Sequence, residues 1–203
     1  IGGLIMPADI AIKLEESLVA LATRQKFSIP LRFSTNKYNL KYYGEAIEMA
    51  FAQNSVIFSG AIVTYSNWPS DRAVWEYWRR GVEKRVAAGV ASVRPLRLHT
   101  LKHDFGADER IYNSVIEGLP INSSFQIYSS FKQSPRIMQL SGIIAKCLNS
   151  PSRLEANNSN KNQSGNRQKD ALTQKTFDSL RITGTDIAKD IKRKNLILRN
   201  IKI

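Results

Sequence analysis

Residues 56–65, VIFSGAIVTY, decide the fold class. Val56, Ile57, Phe58, Ala61, Ile62 and Val63 are apolar, and Ser59 and Gly60 between them are small. The run is strand-length, and its centre lacks the polar alternation of a half-solvated strand, so it reads as a strand covered on both faces. Upstream, Asn39–Gln53 predicts a helix with Leu40, Tyr43, Ile47, Ala50 and Phe51 as its buried stripe. Before that, Ser28–Phe33 reads as a short strand. Asp9–Gln25 reads as a helix carrying Ile10, Leu14, Leu18 and Leu21 inward and Glu15 and Glu16 outward, and Ile1–Met6 as a strand ended by Pro7.

Downstream, Ser70 and Asp71 open a helix to Ala88, because a serine N-cap and an acid in the first turn satisfy free amides and suit the helix dipole. Strands follow at Leu96–Leu101 and Ser124–Ser129, with a short helix near Asp108–Glu117 between them. Ser134 and Pro135 start a helix to Leu148, with Ile137, Leu140, Ile144 and Leu148 in line. Strands alternating with helices define an α/β layered fold around a mixed sheet. Residues 149–166 are rich in Asn and Ser and read as a linker or loop. Beyond it, residues 167–203 are expected to form a basic helical extension, with its helix over Asp186–Leu198, where Ile187, Ile191 and Leu198 share a face.

Hydrophobic residues make up 42% of the chain and charged residues 23%, a globular balance. No apolar run approaches the ~20 residues that span a bilayer, so no membrane partner is expected. No basic segment precedes an apolar one at the N-terminus in the manner of a secretory signal. The chain opens at Ile1 rather than Met, which leaves room for a preceding segment. The single cysteine, Cys147, can form neither an internal disulfide nor a cysteine zinc site and reads as a buried helical thiol, consistent with the cytoplasm.

Charge points to the partner. The formal net charge is +13, and such an excess favours polyanions through counterion release, nucleic acid (DNA or RNA) first among them. The 12 Lys and Arg against 5 Asp and Glu after residue 150 give that stretch +7, and 18 against 12 give the first 150 residues +6. Candidate phosphate contacts are Arg79, Arg80, Lys84 and Arg85 on the tryptophan-bearing helix. A second set is Lys189, Lys192, Arg193, Lys194 and Arg199 near the C-terminus. Aromatics such as Trp68 and Trp78 can stack bases where exposed, though such a stripe also serves as core.

The succession GGLIMP (2–7), LRFSTNKYNLKYYGEAIEMAF (31–51), VIFSGAIVTYSN (56–67) and SFKQSPRIMQLSGIIAKCL (130–148) resembles an uncharacterised bacterial and phage family of RNase H-like proteins. Metal-dependent nuclease chemistry is ascribed to that family, often in mobile-element or phage-defence settings. The resemblance covers roughly residues 1 to 150 and implies an RNase H-like domain there. Family members open with an Asp-Glu-Ser-Gly strand and carry Gln-Leu-Ala-Asp at the start of a late helix. Here the acidic opening strand is absent. Gln139 and Leu140 match the second motif, but Ser141 and Gly142 replace Ala-Asp. Asp104, after LRLHTL, is the one acid near a strand end that could keep a catalytic role, and Lys102 beside it opposes metal binding. Two-metal nucleases hold cations ~3.5–4 Å apart with several carboxylates. The expectation is therefore a degenerate member that binds without cutting and needs no metal or cofactor. The alternatives are a Mg²⁺-dependent nuclease whose acids come from a preceding strand, and a basic subunit docking on an acidic protein.

His99, His103, Asp104, Asp108 and Glu109 are the right residue types for a metal. On a strand, however, an offset of four puts the two histidines on one face and turns Asp104 away. A polar strand-to-helix turn is the plainer reading. No phosphate-binding glycine loop and no Gly-x-Ser-x-Gly elbow occurs.

Overall fold

The structure is a computed structural model that describes residues 2–27, 37–64, 97–101, 124–129, 133–149 and 164–202. In chain order its elements are β1 (Gly2–Ile5), α1 (Ala8–Arg24), α2 (Lys37–Ala52), β2 (Ile57–Thr64), β3 (Arg97–Leu101) and β4 (Ser124–Tyr128). Then come α3 (Arg136–Leu148), α4 (Ser164–Leu180), a short 3-10 helix (Gly184–Ala188), β5 (Ile191–Arg193) and β6 (Leu196–Lys202). The chain is a mixed α/β protein made of two compact units. One comprises Ile1–Thr64 with Pro135–Ile201, the other Tyr65–Ser134 with Lys202–Ile203.

The larger unit holds a four-stranded sheet in the order β1-β2-β6-β5. Strand β1 runs antiparallel to β2, with Leu4 opposite Phe58 and Ile5 opposite Ile57. The Phe58 amide donates to the Asn195 carbonyl at 2.9 Å, tying β2 to the turn that joins β5 and β6. The side chains follow the two-residue period of strands. Phe58, Ile191, Leu196 and Leu198 are buried, while Ile57, Ser59 and Ile197 are half-buried. Gly2 is required by packing: a Cβ there would sit 2.2 Å from the Phe58 ring, itself 1% exposed.

The helices supply the rest of the core. Leu14, Leu18 and Leu21 of α1, Tyr42, Tyr43, Ile47 and Ala50 of α2, and Leu140, Ile143, Ile144 and Leu148 of α3 are all buried. Helix α4 adds Leu172, Phe177 and Leu180, together with buried Thr173 and Thr176. Thr176 Oγ1 donates to the Leu172 carbonyl at 2.8 Å, so this hydroxyl is satisfied inside the core. Cys147 lies beside these threonines, and burial pushes its thiol up to about 11, a rise that the neighbouring Thr176 and Thr173 side chains only partly offset. It is a packed core group, as expected from its place on the helix.

Helices α1 and α4 end alike. The Phe27 amide donates to Ala22 and the Lys26 amide to Thr23; the Ile182 amide donates to Phe177 and the Arg181 amide to Asp178. Both are Schellman ends, in which the left-handed position usually holds glycine. Lys26 (φ 54°) and Arg181 (φ 55°) occupy it instead. Each loses the conformational ease of glycine and places a cation where the helix dipole is negative.

The smaller unit contributes the parallel pair β3 and β4, in register from Arg97 opposite Ser124 to Leu101 opposite Tyr128.

Three expectations change. The helix over Asp186–Leu198 is a 3-10 turn followed by the β5–β6 hairpin. Arg193 pairs with Leu196, so Lys194 and Asn195 form a two-residue turn. The C-terminal residues are not an appendage, because β6 lies between β2 and β5 and α4 packs in the core. Residues 164–166, read as loop, begin α4. The expected strand 28–33, the helices over 71–88 and 108–117, and the rest of the linker lie outside the described residues. Among the described residues, no helix is long and apolar enough to cross a membrane.

Candidate functional site

The N-terminus of α3 is where distant parts of the larger unit converge. Pro135 is its N-cap and provides no side-chain cap. Glu15 of α1 takes that role instead: its Oε1 accepts from the Arg136 amide at 2.8 Å and its Oε2 from the Ile137 amide at 2.9 Å. One carboxylate thus satisfies two of the free amides of the first turn and places a negative charge at the positive end of the dipole. The helix start at Ser134 and Pro135 was legible, but its capping group lies 121 residues away.

Arg136, the first residue of α3, extends beside Tyr42, with Cζ 5.9 Å from the ring centroid. Tyr42 is buried, donates from its hydroxyl to the Leu18 carbonyl at 3.0 Å, and stacks on Phe27 at 4.6 Å with the rings 6° apart. Tyr43 meets Phe27 edge-on at 5.9 Å. Burial raises the Tyr42 phenol, and the Arg136 guanidinium partly offsets that rise.

This cluster borders an open cavity of about 430 Å³ lined by Val19, Ala22, Thr23, Lys26, Phe27 and Arg136. Its lining pairs an apolar wall with two cations. Arg136 Nη1 is buried and has no hydrogen-bond partner among the described residues. Glu15, which accepts from the α3 amides, keeps its negative charge close to Arg136, and Arg136 also bonds through its side chain to Tyr42.

The second basic region is the C-terminal hairpin. Thr183 and Asp186 form a capping box around the 3-10 turn, with the Thr183 amide 2.9 Å from Asp186 Oδ2. These hydrogen bonds from Thr183 hold the Asp186 carboxyl below its usual range, and Arg193 and Lys189 add to the effect. Arg193 donates to the Arg181 carbonyl and lies 3.8 Å from Asp186, so it braces the turn. Lys192 on β5 and Lys194 in the turn are exposed and have no ion-pair partner among the described residues.

Of the residues singled out by sequence, Lys189, Lys192, Arg193 and Lys194 are brought together here, on a turn and strand rather than a helix, and Arg199 lies on β6. Gln139, Leu140 and Ser141 are buried on α3, and Gly142 is half-buried beside them. Arg79, Arg80, Lys84, Arg85, Trp68, Trp78, His103, Asp104, Asp108 and Glu109 lie outside the described residues. Among the described residues, no three His, Cys, Asp or Glu side chains gather as a metal site. His99 instead pairs with Tyr128 across β3 and β4, its Nδ1 2.9 Å from the phenol oxygen and the rings 17° from parallel.

Sequence reasoning missed Glu15, Arg136 and Lys26. Glu15 carried no signal beyond the exposed side of a helix, while Arg136 could have been flagged as the charge after a helix-opening proline. Comparison with protein-family models, curated proteins and solved structures gives no match.

Proposed function

We propose that the chain binds nucleic acid through its basic surface and does not cut it, acting from an RNase H-like α/β core in a cytoplasmic nucleoprotein, mobile-element or phage-defence setting. The observation that carries the binding reading is the exposed lysines of the hairpin in a +13 chain, Lys192 and Lys194, which have no ion-pair partner among the described residues. Exposed lysines on β5 and the turn after it can follow a phosphate backbone at little desolvation cost, and counterion release supplies the affinity. The non-cutting part rests on Ser141 and Gly142 standing where the resembling family has Ala-Asp. The RNase H-like part rests on the order of elements over residues 1 to 150.

The test is binding of labelled single- and double-stranded DNA and RNA across a salt series with Mg²⁺ present, the products run on a denaturing gel. Intact strands and a steep salt slope are expected. The double variant Lys192→Gln/Lys194→Gln should flatten the duplex DNA slope by ~1.8, two contacts at ~0.9 each. An unchanged slope removes the hairpin from the interface. Cleaved strands would establish the nuclease alternative, and absence of binding at low salt would favour an acidic protein partner.

A further inference from the structure

We infer that His99 and Tyr128, on the parallel strands of the smaller unit, form a stacking platform for an unpaired base of a single nucleic-acid strand. The inference deepens the nucleic-acid reading, on which it rests, but uses no residue of the hairpin.

In the register of β3 and β4, His99 stands opposite Gln126, and Leu101 opposite Tyr128. Side chains alternate with a two-residue period, so His99, Gln126 and Tyr128 share one face of the strand pair. His99 and Gln126 are exposed and Tyr128 is half-buried. His99 Nδ1 and the phenol oxygen are 2.9 Å apart, and the rings lie 17° from parallel with centroids 5.9 Å apart. Each of those two atoms lies in the plane of its own ring, so the planes are offset by little more than the hydrogen bond at most. Most of the centroid separation is therefore sideways: the rings lie side by side and extend one another instead of covering each other's faces. Every base has a π-face, and aromatic surfaces hold single strands by stacking on bases that are free to leave their neighbours. The hydrogen bond between the two rings sets their angle in advance, which lowers the ordering cost of binding. Gln126 adds an amide that both donates and accepts, as a base edge requires. Tyr128 closes β4 and Leu101 closes β3, so the pair lies toward the carboxyl end of parallel strands, where α/β sheets receive ligands. Residues 65–134 hold 10 Lys and Arg against 7 Asp and Glu, a balance that favours a polyanion there as well.

Two fluorescent probes, titrated into the full chain across a salt series, separate stacking from phosphate contact: an oligothymidylate, and a strand of the same length with abasic sites in place of its bases. The base-bearing strand should bind more tightly. His99→Thr and Tyr128→Thr keep a good strand former and should each lower the affinity for oligothymidylate by ~5–100-fold, the loss of a base–aromatic stack. Affinity for the abasic strand should hold, as should the salt slope, since neither change removes a lysine or arginine. Tyr128→Phe loses the hydrogen bond to His99 but keeps the ring, and should retain most of the affinity. Urea unfolding followed by circular dichroism checks that each variant is folded, and His99, being exposed, is the position whose replacement the fold tolerates best. A pair that only joined the strands would change stability and leave the ratio of base-bearing to abasic affinity where it was. An unchanged ratio in His99→Thr and Tyr128→Thr overturns the platform while the nucleic-acid reading stands. Failure of the wild type to bind either strand at low salt overturns both.

Discussion

Replacing Glu15 tests the tertiary helix cap directly. In Glu15→Ala the amides of Arg136 and Ile137 lose acceptors at 2.8 and 2.9 Å. A neutral N-cap contributes ~1 kcal/mol, hydrogen bonds to a charged group ~1.5–3, and a charge at the dipole ~0.3–1. The site is half-buried, so water recovers part of the loss, and about 2.5 kcal/mol is expected for alanine from these combined ranges. Glu15→Gln keeps one carbonyl oxygen and loses the charge, which sets its cost near 1 kcal/mol. At ~2–4 °C per kcal/mol for a chain of this size, Tm should fall by ~5–10 °C for alanine and ~2–4 °C for glutamine. Urea unfolding followed by circular dichroism measures both. Glu16→Ala, an exposed neighbour on α1, is the control and should stay within ~0.5 kcal/mol of wild type. A Glu15→Ala protein indistinguishable from that control would refute the bidentate cap.

Two further outcomes follow from the core. Gly2→Ala should destabilise by ~1–3 kcal/mol, because the new Cβ meets the buried Phe58 ring at 2.2 Å; relief by Phe58→Leu in the double variant, read by urea unfolding, identifies the clash as the cause. The Cys147 thiol, held near 11 by burial, should react slowly with a thiol reagent at pH 8 in the native protein and rapidly in denaturant. Its folded-state value lies above the unfolded one of 9.0. Its stabilising contribution is therefore full below about 9 and is lost as pH rises toward about 11, a decline that Cys147→Ala should lack if the thiol is its source.

Periodicity read the first half of the larger unit well because its stripes are made of unambiguous apolar residues. Leu14, Leu18 and Leu21 on α1, and Tyr43, Ile47, Ala50 and Phe51 on α2, are buried as the spacing requires. It failed at the C-terminus for two physical reasons. Helix α4 buries Leu172, Thr173, Thr176, Phe177 and Leu180, a helical stripe at i, i+1, i+4, i+5 and i+8 in which two members are threonines, so a count of apolar residues sees too little. In the hairpin, Ile187, Ile191 and Leu198 happen to fit a helical face, while the decisive signals were the contiguous Leu196, Ile197 and Leu198 and the turn residue Asn195. A short apolar run beside a lysine-rich turn suits either structure until a partner strand is known, and that partner, β2, lies about 140 residues earlier.

The candidate sites divide along the same line. The basic hairpin was legible as composition, because exposed charge is a property of residue type, and only its backbone form was misread. The cavity at α3 was illegible because none of its properties belongs to a residue alone. Arg136 stands there because α3 begins against the Tyr42 ring, and Lys26 because α1 ends in a left-handed residue. Glu15 matters because both its oxygens accept from the α3 amides, a cap supplied from another helix. A cap reached across two helices and a cation at a left-handed helix end are properties of the fold, and neither is announced by the residue that carries it.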